Sequence, residues 1–138
     1  MGRLLGIDLG ARWVGLALTD PQGIIASPLQ TIPLESESSL VRRVVRLSRE
    51  RDVSLVVIGL PLSADGSEGP GCERSRRIAG RLSEEGVVCE LHDESWSSRE
   101  AEEALRSTGR TRKTARSNID SIAASLILQD YLTSRPQS

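Results

Sequence analysis

The chain has 138 residues, a mass of 15.0 kDa and a formal net charge of −1, with 38% hydrophobic and 27% charged residues. These values are typical of one globular domain over residues 1–138, large enough to bury its own core, and they exclude a disordered or fibrous chain. Because the net charge is close to zero, an attraction to nucleic acid would have to come from a local concentration of basic residues.

The cysteines and the apolar segments indicate the cellular compartment. Cys72 and Cys89 have no CxxC spacing, so we expect buried or idle thiols of a cytosolic protein rather than a disulfide framework or a zinc site. The longest apolar run, Leu55 to Leu60, stops at Pro61, far short of the ~20 residues that span a bilayer. We also find no charged leader with an apolar segment behind it, and therefore expect a cytoplasmic protein with no membrane contact.

The first third of the chain predicts three antiparallel strands. Residues 3–9 and 12–19 are rich in Leu, Ile and Val and are separated by a turn at Gly10. Residues 24–32 make a third strand, which Pro33 closes. Connections this short join antiparallel neighbours, so we expect a meander.

The middle of the chain alternates helix and strand. Apolar residues recur at helical spacing from Ser36, with arginines on the opposite face. The run "VSLVVIGLP" over 53–61 is typical of a parallel strand covered on both faces. After a glycine-rich loop, the pattern predicts a helix over 72–85, ended by Gly86, and a fifth strand over 87–92.

Two helices are predicted in the last third. The first, in "SSREAEEALRSTG", has Ser97 at its N-cap and Gly109 beyond its end. The second begins at Ser117, and a polar tail over 133–138 is expected to fray. The order βββαβαβαα predicts an α/β fold with a mixed five-stranded sheet flanked by helices. The residues expected to point inward from the last helix are Ile119, Ile122, Ala123, Leu126 and Ile127.

Acidic residues are expected to converge on one edge of this sheet. Asp8 lies in the first strand, which has to be central, and Glu94 follows Asp93 at the end of the fifth strand. Asp120 is predicted in the first turn of the last helix. Each acid alone has an ordinary explanation, since Asp120 could complement the helix dipole or form a capping box with Ser117, and Glu94 could be a surface carboxylate.

Taken together, the acids indicate a metal site. Clustered carboxylates repel one another unless cations lie between them, and oxygen ligands without histidine select Mg²⁺ or Mn²⁺. Two such ions roughly 4 Å apart can activate water and stabilise the leaving oxygen in phosphodiester hydrolysis.

Four ordered segments then resemble one family over about residues 3–132: "GIDLGARWVGLALTD", "VVIGLPLSADGSEG", "HDESWSSREAEEAL" and "NIDSIAASLILQDYL". This is the YqgF/RuvX family, whose members are regarded as pre-16S rRNA nucleases and are related to the RuvC Holliday-junction resolvases. The resemblance implies a ribonuclease H-like sheet of order 3-2-1-4-5 and a two-metal hydrolase that acts on RNA or structured DNA, with no organic cofactor. It assigns both catalysis and metal binding to Asp8, Glu94 and Asp120.

The chain departs from the family pattern at cationic positions. Arg12 and Trp13 stand where the family usually has a Lys-Arg pair, and Ser95 stands where it has the arginine of an Asp-Glu-Arg block. The superfamily usually ends its fourth strand with an acid, whereas Asp65 is the nearest candidate here. Phosphate contacts are therefore expected from Arg12 and from a basic stretch that contains Arg106, Arg110, Arg112, Lys113 and Arg116.

Other functions stay open at this point. The letters GIDLG also open actin-like ATPases and Hsp70 chaperones, where Asp8 would manage the magnesium of a nucleotide, but the second lobe of those proteins does not fit in 138 residues. The altered cationic positions would also suit a nucleic-acid-binding scaffold that does not cleave. Junction resolution would require a symmetric dimer, and the sequence does not decide between monomer and homodimer.

Three side chains near the acids have open roles. Trp13 and Trp96 adjoin proposed metal ligands and could stack on bases or pack in the core. His92 is expected to be an ordinary side chain at the end of a strand rather than a general base.

Overall fold

The computed structural model describes residues 2–61, 68–93 and 112–134, and in the last range it describes side chains from Asp120 onward. Several sequence predictions lie outside the described residues: the helix over 97–109, the predicted ligand Glu94, the candidates Asp65 and Trp96, the altered position Ser95, and the basic residues Arg106 and Arg110.

Three strands form the predicted meander. They are β1 (Arg3–Leu9), β2 (Trp13–Thr19) and β3 (Ala26–Pro33), paired antiparallel in the order β3-β2-β1. The turn between β2 and β3 is closed by the Asp20 carboxylate, which accepts hydrogen bonds from the backbone N–H groups of Ile24 and Ile25 at 2.7 and 3.0 Å. These bonds favour the charged form and lower the pKa of Asp20.

Two parallel strands complete the sheet. β4 (Val53–Leu60) pairs with β1, and β5 (Cys89–Asp93) pairs with β4, which gives the order β3-β2-β1-β4-β5. The expected order 3-2-1-4-5 is therefore confirmed, and β1 is the central strand.

Helices cover both faces of the sheet. α1 (Glu37–Glu50) begins after Ser36, whose hydroxyl accepts the backbone N–H of Ser39 at 3.0 Å and so caps the helix. α2 (Pro70–Glu84) begins with proline, which suits the first position of a helix because its missing N–H would have no partner there. α3 runs over Arg112–Ser134. No helix in the described ranges is long and apolar enough to cross a membrane.

The core has two layers, one on each face of β1. Leu5, Ile7 and Leu9 point toward α1 and α2, where they join a large aliphatic cluster. Leu4 points the other way and packs with Leu128 of α3. Since side chains alternate along a strand, Gly6 and Asp8 share the face of Leu4.

The predicted start of the last helix at Ser117 is wrong, because α3 already begins at Arg112. The intervening residues include no proline or glycine, and arginine, lysine and alanine are good helix formers. Asp120 is therefore the ninth residue of α3 and lies in its third turn rather than its first. Helix-dipole and capping explanations for Asp120 do not apply at that position, since both act within the first turn.

The buried face of α3 also differs from the prediction. Ala123 and Ile127 are buried as expected, but Ala124 and Leu128 are buried in place of Ile122 and Leu126, which are half-buried. The helix approaches the sheet along glycines, because a Cβ on Gly6 would lie 3.0 Å from the carbonyl oxygen of Ala124. Ile119 has no described side chain. α3 ends at Ser134, inside the tail predicted to fray, and residues 135–138 are not described.

An ion pair joins the two helices on the other face. The guanidinium group of Arg77 in α2 donates through Nε and Nη2 to the Glu37 carboxylate of α1 at 2.8 and 2.6 Å. The hydrogen bonds from Arg77 lower the pKa of Glu37. Both cysteines are free thiols, as expected, and burial raises the pKa of Cys89 to about 11, which keeps it protonated and unreactive at neutral pH.

We predict that Gly15→Ala lowers the free energy of unfolding by at least about 3 kcal/mol in a denaturant titration. A Cβ there would lie 1.8 Å from the carbonyl oxygen of Asp120, and only a shift of α3 could relieve that overlap. Gly80→Ala is the matched control, because nothing lies within 4 Å of a Cβ at that helical position. It should stabilise by about 0.5–1 kcal/mol. Equal effects of the two substitutions would contradict the close contact at Gly15.

We predict that Arg77→Gln destabilises the protein only slightly at pH 7, because the Arg77 side chain is 52% exposed and solvent screens its ion pair. The folded-state pKa of Glu37 lies below its ordinary value of 4.5, so the pair contributes fully above that value. The contribution is lost as the pH falls through the folded-state pKa. Denaturant titrations of the parent and of Arg77→Gln give their free energies of unfolding from pH 7 to pH 3, and the difference between the two should shrink toward pH 3. A difference that grows toward acid would refute this prediction.

Candidate metal and nucleic-acid site

Asp8 is a buried carboxylate in the middle of the sheet. It lies in the central strand β1, is 4% exposed, and pairs directly with Gly15 of β2. Directly opposed residues of an antiparallel pair present their side chains on the same face, which here is the face of α3. A buried carboxylate is costly unless a polar or charged group compensates it. This position therefore needs a compensating partner, which a leucine or valine would not need.

Asp120 of α3 lies against the same point of the sheet. Asp120 can approach this closely because Gly15 has no side chain; a Cβ there would overlap the Asp120 carbonyl group. Its carboxylate points along the sheet toward the β1–β2 turn, because a Cβ on Gly10 would lie 3.8 Å from Asp120 Oδ1. The structure thus brings together Asp8 and Asp120, two of the three predicted ligands.

The remaining acids are placed differently. Glu94 is outside the described residues, and within the described ranges no three His, Cys, Asp or Glu side chains form a cluster that could hold a metal ion. Asp93 is exposed at the end of β5. Since His92 points toward α3, where it meets Asp130, strand alternation places Asp93 on the opposite face from Asp8.

The donor set at Asp8 and Asp120 suits a hard cation. Both residues offer carboxylate oxygens, and Mg²⁺ and Mn²⁺ prefer such ligands, whereas zinc and copper favour nitrogen and sulfur. Gly10 leaves room beside Asp120 Oδ1 that any larger residue would fill. These two carboxylates therefore fit a divalent metal site that the sequence predicted from their residue types.

Arg74 of α2 holds the strand end that follows Asp8, and the sequence reasoning missed it. Its Nη2 donates to the carbonyl oxygens of Leu9 and Gly10 at 3.1 and 2.7 Å. Its Nε is buried and has no hydrogen-bond partner among the described residues. Arg74 lies 65 positions from Leu9 and 64 positions from Gly10 in the sequence. No local pattern distinguishes this arginine from its neighbours in "ERSRR".

The start of α2 also fixes the end of β4. The Ser75 hydroxyl donates to the carbonyl oxygen of Gly59 at 3.1 Å, and the Cys72 thiol contacts the carbonyl oxygen of Pro61 at 3.4 Å. α2 therefore ties the carboxyl ends of β1 and β4 to one helix. Because that edge of the sheet carries Asp8, the anchoring limits how far the candidate site can deform.

His92 contacts two residues of α3. Its Nε2 lies 2.6 Å from Asp130 Oδ2, and its ring packs edge-on against Tyr131 with centroids 5.9 Å apart. The Tyr131 hydroxyl in turn donates to the Glu90 carboxylate. These contacts fasten β5 to the last turns of α3.

The surface around Asp8 and Asp120 carries exposed groups of two kinds. Arg12 and Trp13 are both exposed, at the turn and at the first residue of β2. The backbone of α3 places Arg112, Lys113 and Arg116 in the turns that precede Asp120. A cavity of about 360 Å³, lined in part by Arg42 and Glu85, belongs to the opposite layer beside α1.

Comparison with solved structures defines the class of fold. The chain is similar to Thermus thermophilus RuvC in complex with a Holliday junction substrate, with a TM-score of 0.56 and 16% identity over 96% of both chains. It is also similar to the Fowlpox virus resolvase bound to Holliday junction DNA, with a TM-score of 0.57 and 13% identity over 96% of this chain and 97% of that one. The fold is thus ribonuclease H-like, as predicted.

Sequence comparison then identifies the family. The family model of RuvX, described as Holliday junction resolvase, matches residues 2–134. A relative from Chloroflexus aurantiacus, named "Putative pre-16S rRNA nuclease", is 42% identical over 96% of this chain and 87% of its own length. A relative from Syntrophus aciditrophicus with the same name is 41% identical over 94% of this chain and 87% of its own. The chain belongs to the RuvX family, which confirms the resemblance seen in the sequence.

We predict that Arg74→Met lowers the free energy of unfolding by about 1.5–3 kcal/mol, because two carbonyl groups lose a charged donor. Arg76→Met is the control from the same helix. Arg76 forms an exposed ion pair with Glu68 at 2.5 Å, so its loss should destabilise the protein much less than the loss of Arg74. Urea denaturation of both variants measures the difference, and similar losses would show that Arg74 does not brace the strand end.

Proposed function

We propose that the chain is a metal-dependent nuclease that hydrolyses phosphodiester bonds in precursor 16S rRNA. The observation that carries the proposal is the placement of Asp8 and Asp120: Asp8 is buried in the central strand, and the backbone of Asp120 packs on Gly15, the residue that pairs with Asp8. The relatives that match nearly the whole chain bear the name of a pre-16S rRNA nuclease, which supports this substrate over others.

Asp8 and Asp120 would hold Mg²⁺ or Mn²⁺, with Glu94 as a third ligand assigned by the family resemblance. When bound, such ions would stabilise the negative charge that develops on the phosphate and would lower the pKa of water, so that hydroxide is available for attack at neutral pH. This chemistry requires no covalent link to the protein. In this proposal all three acids are metal ligands, and hydrolysis follows a two-metal-ion mechanism.

The protein's own contribution is to position the carboxylates and the substrate. Strand β1 fixes Asp8, and Arg74 holds the two carbonyl groups that follow it, so the ligand oxygens are in place before the substrate binds. Arg12 and the basic residues Arg106, Arg110, Arg112, Lys113 and Arg116 would bind backbone phosphates. Affinity should then fall with salt, because each neutralised phosphate releases counterions.

Resolution of Holliday junctions is the second candidate. It is favoured by the description of the matching family model and by the fold shared with resolvases bound to junction DNA. A non-cleaving scaffold is the third, and the loss of cationic side chains at Trp13 and Ser95 would suit it. Junction resolution requires a homodimer that cuts two strands, whereas rRNA trimming also suits a monomer. We propose a cytoplasmic site of action, in keeping with the two free thiols.

We predict that Asp8→Asn and Asp120→Asn each reduce Mn²⁺-dependent cleavage of a pre-16S rRNA fragment by more than about 100-fold, since even outer-shell partners of metal ligands are worth 10–100-fold. Mn²⁺ should raise the melting temperature of the parent protein and not that of either variant, because only a bound ion stabilises the folded state. Gel assays and thermal melts measure the two effects.

Asp52→Asn is the matched control. Asp52 is exposed and has a φ of 59°, a left-handed conformation that asparagine tolerates as well as aspartate. It should cleave like the parent. A four-way DNA junction run beside the rRNA fragment separates the two nuclease candidates, and binding of either substrate without turnover in the parent would favour the scaffold instead.

A further inference from the structure

Trp13 has an unusual place for a tryptophan in this chain. It is the first residue of β2 and its side chain is 40% exposed, so it is not part of the core. Gly15, two residues along the same strand, faces α3, and alternation places Trp13 on that face as well. The other aromatic side chain in the described ranges, Tyr131, is instead engaged by His92 and Glu90.

The position brings Trp13 close to Asp8. Asp8 pairs with Gly15, so Asp8 and Trp13 are diagonal neighbours across the strand pair. Such neighbours lie about 7–8 Å apart, a separation that an aromatic side chain bridges. The backbone of Trp13 is also fixed against the turn, because its carbonyl oxygen accepts the N–H of Gly10 at 2.8 Å. An exposed indole therefore extends from a fixed backbone position at the edge of the candidate metal site.

We propose that Trp13 is a stacking platform for an unpaired nucleobase adjacent to the phosphate at Asp8 and Asp120. The inference rests on the proposed nuclease function and specifies its substrate class: a strand with an unpaired nucleotide at the site rather than a continuous duplex. An indole binds any base through its π-face but has no charge for a phosphate. Recognition at this point of the surface is therefore of the base and not of the backbone.

The stacking role has a spectroscopic signature. The variant Trp96→Phe leaves Trp13 as the only tryptophan. Titration of this variant in EDTA, which prevents cleavage, with a single-stranded oligouridine should quench its fluorescence. A fully paired RNA duplex of the same length should bind, as fluorescence anisotropy of a labelled strand reports, without quenching Trp13.

Affinity supplies the second arm of the experiment. In the otherwise unaltered chain, Trp13→Leu should weaken binding of the oligouridine by roughly 5- to 100-fold, the range that loss of one base–aromatic stack gives. Trp13→Phe should retain most of the affinity, because a smaller ring still stacks. Duplex binding should be the same for all three proteins. Ile25→Ala, which removes an exposed apolar side chain beyond the opposite end of β2, is the matched control and should bind like the parent.

The outcomes separate this inference from the function it rests on. If the parent cleaves RNA but Trp13→Leu binds oligouridine as tightly as the parent, or if binding leaves the Trp13 fluorescence unchanged, the stacking role is wrong and the nuclease proposal stands. If the parent neither binds nor cleaves RNA or junction DNA, both are overturned.

Discussion

The close contact between α3 and the central strands is the constraint on which the candidate site depends. Backbone can lie this near to backbone only where side chains are missing, and Gly6 and Gly15 supply that space on neighbouring strands. The contact places Asp120 directly over the residue that pairs with Asp8. The packing of α3 on these glycines therefore has two consequences. It completes the smaller core layer around Leu128 and Ala124, and it places Asp120 near Asp8, which is 112 positions away in the chain.

Much of this architecture follows from short-range patterns in the sequence. Strand alternation, β-branched runs and helical spacing of apolar residues correctly predicted the five strands and the first two helices, because each pattern acts within one element. The start of α3 was wrong for a related reason. No residue between Arg112 and Ser117 ends a helix, and a cap motif at Ser117 was given more weight than the continuous helical propensity before it.

The side chains that shape the site were harder to predict. Asp8 and Asp120 were predicted as ligands because carboxylates at a sheet edge indicate metal chemistry, and the family resemblance pointed to the same positions. Arg74 could not be found in this way, since its function depends on which carbonyl groups the fold brings to it. The inward face of α3 was misjudged at Ile122 and Leu126 because helical periodicity alone cannot reveal that glycines opposite the helix favour a rotation toward Ala124 and Leu128.

The central claim is that Asp8 and Asp120 hold a divalent cation together, and anomalous diffraction tests it most directly. Crystals grown with Mn²⁺ should give an anomalous peak within coordination distance of carboxylate oxygens from both residues. Crystals of Asp120→Asn grown in the same way should lose or weaken that peak while the sheet and α3 stay in place. Well-ordered Asp8 and Asp120 carboxylates with no manganese between them, or a peak that neither residue contacts, would contradict the account.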